Sequence, residues 1–255
     1  MIQWSRYSLY VAKNRVSPLE SQQLLQKALK YGTFWHRVRS EMVEHELNRF
    51  EATKVLDIGA GAGHLGRWLK DRTPSIKYFF DEELETLRAQ MVVEFGVDAL
   101  RGPDEAIDDI DMVCMLDVIE HIEDDVAFLK GLHSRLADGA VLVTTVPAMN
   151  VLYSTWDTAL GHFRRYDRKG LTMVFRESGF EVLECSYFFP ELVPLAFVRR
   201  LSRRKKGASS AEFPNLPRIV DKILWIVCRT SGRLRRCWPL GTSLLIVGKC
   251  VPQRS

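Results

Sequence analysis

The sequence predicts an α/β protein built on a doubly wound, mostly parallel sheet, and three observations carry that expectation. Short apolar runs alternate with segments of helical spacing. The first run breaks into three alternating glycines immediately before a helical pattern. A later run, Asp111-Met-Val-Cys-Met-Leu-Asp117, is apolar throughout between two acids, as in a strand buried on both faces of a parallel sheet. At 255 residues, with 46% hydrophobic and 27% charged residues, the chain can bury one sizeable core, which excludes a disordered protein.

The first strand and its turn read Val55-Leu-Asp-Ile-Gly-Ala-Gly-Ala-Gly63, followed by Leu65, Trp68 and Leu69 at helical spacing. Glycine is required there because a Cβ would block close approach of the backbone to a ligand and because positive φ costs glycine little. The helix start offers free N–H groups, and Asp57 adds a carboxylate. Together they predict a nucleotide-binding turn. Gly61-Ala-Gly-His-Leu-Gly66 also matches the dinucleotide pattern G-x-G-x-x-G, so the glycines alone do not choose the nucleotide. The second strand, Ile76–Phe80, ends in Asp81-Glu82, with Asp81 18 residues beyond Gly63, the spacing of a ribose-binding carboxylate. A third strand over Gly96–Leu100 is short and runs into the loop Arg101–Asp104. The fourth is the run ending at Asp117, with a helical segment from Asp117 through Leu132. Gly139 stops the helix, Val141–Val146 is the fifth strand, and a helix over Arg168–Ser178 leads to the sixth, Glu181–Phe188. Ser243–Cys250 makes the seventh. Ligands on such sheets sit at the carboxyl ends of the strands, where Gly59, Asp81 and Asp117 all fall.

Asp57 lies two residues before the first of the glycines at 59, 61 and 63, and in this the stretch 55–63 resembles the first motif of the class I S-adenosylmethionine (SAM)-dependent methyltransferases. Asp117-Val-Ile-Glu120-His121 resembles a second motif of that family and argues against a nicotinamide-dependent oxidoreductase. The resemblance implies a Rossmann-like fold with SAM as cofactor and S-adenosylhomocysteine as its product. It implies a cofactor site of Asp57, Gly59, Ala60, Gly61 and Gly63 around the methionine part, Asp81 at the ribose with Glu82 as the alternative, and Asp117 nearby. Asp98 and Asp104 are the candidates for an adenine contact.

The stretch Tyr153–Tyr166 crowds polar and aromatic residues into a loop that should overhang the carboxyl edge, as acceptor sites do. With Phe34-Trp-His-Arg-Val-Arg39 upstream, it resembles a bacterial methyltransferase subgroup with a Gly-His-x-Arg-Arg-Tyr signature. Members of that subgroup often occur in polysaccharide, glycolipid or secondary-metabolite pathways, which implies O-methylation of a sugar, a glycolipid or a metabolite. A hydroxyl acceptor must lose a proton; His162 is the first candidate base and His121 the second, while Arg165 or Arg164 could hold an anionic acceptor. Structural roles compete: Arg165 and Tyr166 could cap the next helix, and either histidine could be a structural hydrogen-bonder. The N-terminal helical segment, Leu19–Phe50, is expected to lid the cofactor, with Trp35 packing on it. The reading assigns no metal ligands, although Asp117, Glu120 and His121 at i, i+3 and i+4 of a helix could share a face and hold Mg²⁺ or Zn²⁺.

Residues 196–240 hold twelve Lys and Arg against two acids, a net of +10 that leaves −6 for the rest of the chain. Apolar stretches, Leu192–Val198 and Ile219–Cys228, adjoin this basic cluster, with a Gly-Ala-Ser-Ser-Ala link at 207–211 between them. That pattern suits either a solvated face or an interfacial segment on anionic lipid. No pattern of stacking aromatics accompanies the charges, which argues against nucleic acid. The expected organisation is therefore an N-terminal helical lid (1–50), a SAM-binding core (51–190), a basic helical insertion (191–241) and a last core strand with its tail (242–255). Five scattered cysteines lack metal-ligand spacing and read as reduced core thiols in a cytoplasmic protein, peripheral to the inner face of the membrane if the insertion docks there. The competing class is a non-catalytic protein that keeps the fold and docks at membranes.

Overall fold

The computed structural model describes residues 30–102, 105–203 and 216–252, with side chains described up to 200 and from 216. Asp104, the first part of the expected lid (19–29) and the basic and linker residues 204–211 lie outside the described residues.

A six-stranded sheet forms the centre, in the order β2-β1-β3-β4-β6-β5. Its strands are β1 (Lys54–Ile58), β2 (Lys77–Asp81), β3 (Met112–Leu116), β4 (Val141–Pro147), β5 (Phe180–Phe188) and β6 (Ser243–Cys250). The ladders β1–β2, β1–β3 and β3–β4 are parallel, whereas β6 runs antiparallel to both β4 and β5. The expectation of seven strands is corrected: residues 97–99 form a 3₁₀ turn, and Leu100 contributes a single parallel bridge to Phe80. Val97-Asp-Ala has exposed or half-exposed side chains throughout, so no apolar face holds it in the sheet.

Helices cover both faces. On one lie α1 (Phe34–Phe50), α2 (His64–Arg72) and α8 (Arg218–Arg233), packed on Val55, Met112, Cys114, Val143, Leu245 and Val247. On the other lie α4 (Asp125–His133) and α6 (Arg168–Glu177), against Leu56, Val113, Met115, Leu142 and Ile246. The alternation of these two sets along each strand is the period-two signature of a sheet buried on both faces. The remaining helices are α3 (Glu85–Phe95), α5 (Thr155–Leu160) and α7 (Val193–Arg203).

Helix α1, the described part of the expected lid, packs into the core through Val38, Met42, Val43 and Leu47. The helical segment expected from Asp117 through Leu132 is broken: residues 119–121 form a 3₁₀ turn and α4 begins only at Asp125, capped by Asp124. Helix α8 belongs to the core as well, because Gly232 packs on Val38 and Met42 of α1 and Cys228 is fully buried. A buried ionic cluster joins the same parts, with Arg235 bonded to Glu46 of α1 and Glu184 of β5. All five cysteines are free. Among the described residues, no helix is long and apolar enough to cross a membrane.

Candidate functional site

The glycine turn lies at the carboxyl end of β1, with Gly59, Gly61 and Gly63 all at positive φ (70°, 56° and 75°). Its backbone is pinned to β2: the N–H groups of Gly59 and Ala60 donate to the Asp81 carbonyl, and Gly61 N–H donates to the Glu82 carboxylate. Glu82 is buried and also accepts from Leu84 N–H at 2.9 Å, so its carboxylate is held against the turn. The Asp81 side chain instead faces a small cleft with Arg101 and Arg135. Of the two acids proposed for the ribose, the structure thus brings Glu82 to the glycine turn and turns the Asp81 side chain away, while the Asp81 main chain supports the turn.

Asp57 is buried on β1 and accepts a hydrogen bond from Tyr78 Oη at 2.8 Å. Burial, aided by the nearby Glu82 charge and opposed by the Tyr78 hydrogen bond, pushes its pKa up to about 7. A Cβ on Gly66 would stand 2.6 Å from the Tyr78 ring, so this last glycine allows the tyrosine to reach Asp57.

Asp117 follows β3 with φ at +63°, a conformation that costs most residues about 1–3 kcal/mol. It is held by its N–H to the Thr145 carbonyl (2.9 Å), by Thr145 Oγ1 to its carboxylate (3.1 Å), and by an ion pair with Arg39. Trp35 Nε1 donates to the same carboxylate at 3.4 Å, and its ring stacks on Phe189 at 4.6 Å. Trp35 therefore stands at the carboxyl edge, anchored to protein groups.

The sharp turn at Asp117 sends the next residues across the edge toward the signature loop. Glu120 is fully buried, and neither carboxylate oxygen has a hydrogen-bond partner. Burial, reinforced by the Asp117 charge, raises its pKa well above the carboxylate range. The His121 and His162 rings meet edge to face at 4.6 Å. Ligand atoms of Glu120, His121 and His162 all lie within 4.8 Å of one another. His121 is pushed down to about 3 by burial and the His162 charge.

His162 is oriented by Asp157, whose Oδ1 lies 3.2 Å from Nδ1. Asp157 is fully buried and also accepts from Arg165 Nε at 2.7 Å. Burial pushes the Asp157 pKa up, but the His162 hydrogen bond and the Arg165 charge outweigh it and hold the group below its ordinary value. With Nδ1–H donated to this ionised carboxylate, His162 keeps Nε2 as its acceptor.

The other residues of the 161–166 stretch make contacts within the protein. Gly161 closes α5 at φ +81°. Arg164 pairs with Asp125 at 2.8 Å, and Arg165 donates to Asp157 and to the Ala148 carbonyl, so both guanidiniums are engaged within the protein. Tyr166 is buried with its hydroxyl on Asp125 at 2.7 Å. Three functional candidates escaped the sequence reading. Asp157 had a signal, the Ser154-x-x-Asp157 capping box that starts α5. Arg39 had one in its i+4 spacing from Trp35. Tyr78 had none, because its approach to Asp57 depends on helix packing. A cavity of about 460 Å³ lined by Glu41, His45, Arg72 and Arg233 shares no residue with this site.

Comparison with known proteins places the fold. The structure is similar to phosphoethanolamine N-methyltransferase 2 of Haemonchus contortus in complex with SAM, at 12% identity and a TM-score of 0.58, covering 96% of this chain and 60% of that one. It is similar to a chain of the Haloferax volcanii complex that contains the Trm112 methyltransferase activator, at 19% identity and a TM-score of 0.55, over 84% and 90% of the two chains. It is also similar to the [4+2]-cyclase SpnF, at 14% identity and a TM-score of 0.51, over 84% and 81%. These likenesses concern the fold alone. No curated protein matches the chain. The model of the methyltransferase domain matches residues 33–185, which include α1, the glycine turn, the Asp117 turn and the signature loop. With that match across more than half of its length, the chain belongs to the methyltransferase-domain family.

Proposed function

We propose that this protein transfers the methyl group of SAM to a hydroxyl of a sugar, glycolipid or secondary metabolite. The observation that carries the reading is the buried Asp57 carboxylate at the glycine turn, whose hydrogen-bond partner is a tyrosine rather than a lysine or arginine. Such a carboxylate suits an ammonium group, and not a pyrophosphate. The donor set fits SAM: Asp57 would hold the amino group, the free N–H groups at the start of α2 the carboxylate, and Glu82 the ribose hydroxyls, its oxygens fixed by Gly61 and Leu84.

Bound SAM supplies an electrophilic methyl on a sulfonium. The protein's part is alignment, exclusion of water and removal of a proton. Alignment comes from the turn, pinned to β2 through the Asp81 carbonyl. Water is excluded on one side by Trp35 and Phe189. The proton goes to His162 Nε2, while Asp157 holds the ring through Nδ1 and stabilises the imidazolium. His121 lies against His162 and is the second candidate for the same task.

The test is S-adenosylhomocysteine formation with SAM and a panel of sugar, glycolipid and phenolic acceptors, read by mass spectrometry. Product that depends on a hydroxylated acceptor is expected. Turnover only with amine acceptors would overturn the hydroxyl assignment, and absence of SAM binding by calorimetry would overturn the reading as a whole.

One observation favours a lipid-linked acceptor or peripheral docking at an anionic membrane. Helix α8 presents Ile219, Ile223 and Ile226 to solvent, 75%, 56% and 52% exposed, on the face opposite its buried Cys228 and Gly232. Arg218, Lys222 and Arg229 flank this stripe in the sequence, the pattern of an interfacial helix on anionic headgroups. A non-catalytic docking protein would share this surface, and acceptor-dependent turnover separates the two.

A further inference from the structure

We propose that Glu120, His121 and His162 form a binding site for a divalent transition-metal cation of the zinc class, held by one carboxylate oxygen and two imidazole nitrogens. Their ligand atoms already lie within 4.8 Å of one another. A tetrahedral zinc with bonds of about 2.0–2.1 Å needs its ligands about 3.3 Å apart, so side-chain closure of no more than about 1.5 Å completes the set.

Glu120 supplies the second, independent observation: it is fully buried with both oxygens unpartnered. A buried carboxylate demands a partner or a proton. The neighbouring guanidiniums are engaged elsewhere, Arg39 with Asp117 and Arg165 with Asp157. A cation among the two imidazoles would supply the missing charge. Each imidazole also has a hydrogen-bond partner within the protein, His162 Nδ1 with Asp157 and His121 with the Gly161 backbone. A hydrogen bond of this kind fixes the tautomer and leaves one lone pair for a metal. Two nitrogen donors and one oxygen select a zinc-class ion over Mg²⁺ or Ca²⁺, which take oxygen ligands.

This set differs from the trio expected from the sequence. Asp117 is paired with Arg39 and is not among the three clustered ligand residues, and His162 takes its place. Three protein ligands leave a coordination position open, where an acceptor hydroxyl could be acidified. That use rests on the methyl-transfer reading, and in the loaded form His162 ligates instead of accepting the proton; cation binding itself depends on neither.

The test is made on the full chain, stripped with chelator and reloaded with one equivalent of Zn²⁺. X-ray absorption of the wild-type protein should show a nitrogen and oxygen shell with outer scattering from two imidazoles. A sulfur shell, from cysteines such as the exposed Cys237, or a shell without imidazoles would overturn the proposal. Calorimetric Zn²⁺ titration of Asp157→Asn should show an affinity about 10–100-fold weaker, and His162→Gln a larger loss, with thermal unfolding confirming that each variant folds. Unchanged affinity in both would overturn it equally. None of these readouts requires turnover, so a failure of methyl transfer leaves the cation site standing and a failure of the cation site leaves SAM binding standing.

Discussion

Arg39 and Asp117 form a largely buried ion pair that ties α1 to the carboxyl end of β3, with side chains 8% and 27% exposed. The pair holds Asp117 in its left-handed conformation and fixes the helix that carries Trp35. Arg39→Ala would leave the carboxylate without its charge partner, and breaking such a pair costs about 3 kcal/mol. The expected result in urea unfolding is a loss of that order, with weakened SAM binding because the β3 turn relaxes. A loss below about 1 kcal/mol would show that the pair is solvent-screened and not structural.

Asp57 sets a pH dependence. Its folded pKa of about 7 stands above the ordinary 3.8, so between these values the folded state keeps a proton that the unfolded chain has released. Stability of the ligand-free protein therefore falls as pH rises from about 4 to about 7, and Asp57→Asn removes this component and is the more stable protein at high pH. Binding of the SAM ammonium needs the ionised form, so wild-type affinity should rise about tenfold between about pH 6 and pH 8. Calorimetric titration of SAM across this range, with Asp57→Asn flat and weak throughout, checks the assignment.

The His162–Asp157 pair predicts how activity fails. His162→Ala should lower kcat by about 10²-fold or more while SAM affinity stays unchanged, because the histidine does not adjoin the glycine turn. Equal losses of kcat and SAM affinity, measured by turnover and calorimetry, would move His162 from the chemistry to the scaffold.

The cluster of Glu46, Glu184 and Arg235 joins α1, β5 and the segment after α8. Arg235→Ala removes the guanidinium shared by two buried carboxylates, leaving Glu46 to Arg49 and Glu184 to Arg236, and should destabilise by about 3 kcal/mol in denaturant unfolding. Arg235→Met, which keeps the volume, should lose nearly as much, because the charge and not the packing is missing.

The exposed stripe on α8 predicts lipid binding that needs both its apolar and its basic part. Replacing Ile219, Ile223 and Ile226 together by glutamate should abolish sedimentation with vesicles rich in phosphatidylserine and leave the fold intact, since those side chains face solvent. Binding to neutral vesicles equal to that on anionic ones would remove the electrostatic part of the idea. Point substitutions are the right tool: deleting the segment would also remove Cys228, Gly232 and Arg235 from the core.

Legibility followed burial. Runs buried on both faces, such as Met112–Leu116 and Ser243–Cys250, are plain in the sequence because their apolar pattern is continuous. The 97–99 turn cannot be told from a strand in the sequence, because a short apolar and polar mixture carries no period. At the end of β2 the choice between Asp81 and Glu82 could not be read from spacing, since one step along a strand reverses the face and the longer glutamate reaches back to Gly61. The Asp117–His121 string was read as helix because nothing in its residue types announces a non-glycine at positive φ. The Gly161–Tyr166 signature was visible as dense chemistry, but how its arginines divide between Asp125 and Asp157 depends on contacts 8 and about 40 residues away in the chain.

The antiparallel strand β6 lies between β4 and β5, yet it is synthesised after both of them. Until residues 243–250 emerge, β5 has no ladder partner and β4 shows an open edge. The cofactor edge, made by β1 to β4, can therefore assemble early, while closure of the sheet waits for residues 243–250 to enter between β4 and β5. That late insertion closes a long loop through α7 and α8, a slow contact in a fold otherwise made stepwise. Strand β6 thus acts as a keystone, and the vulnerable moment in this protein's life is the interval before it arrives, when the facing edges of β4 and β5 are open to water.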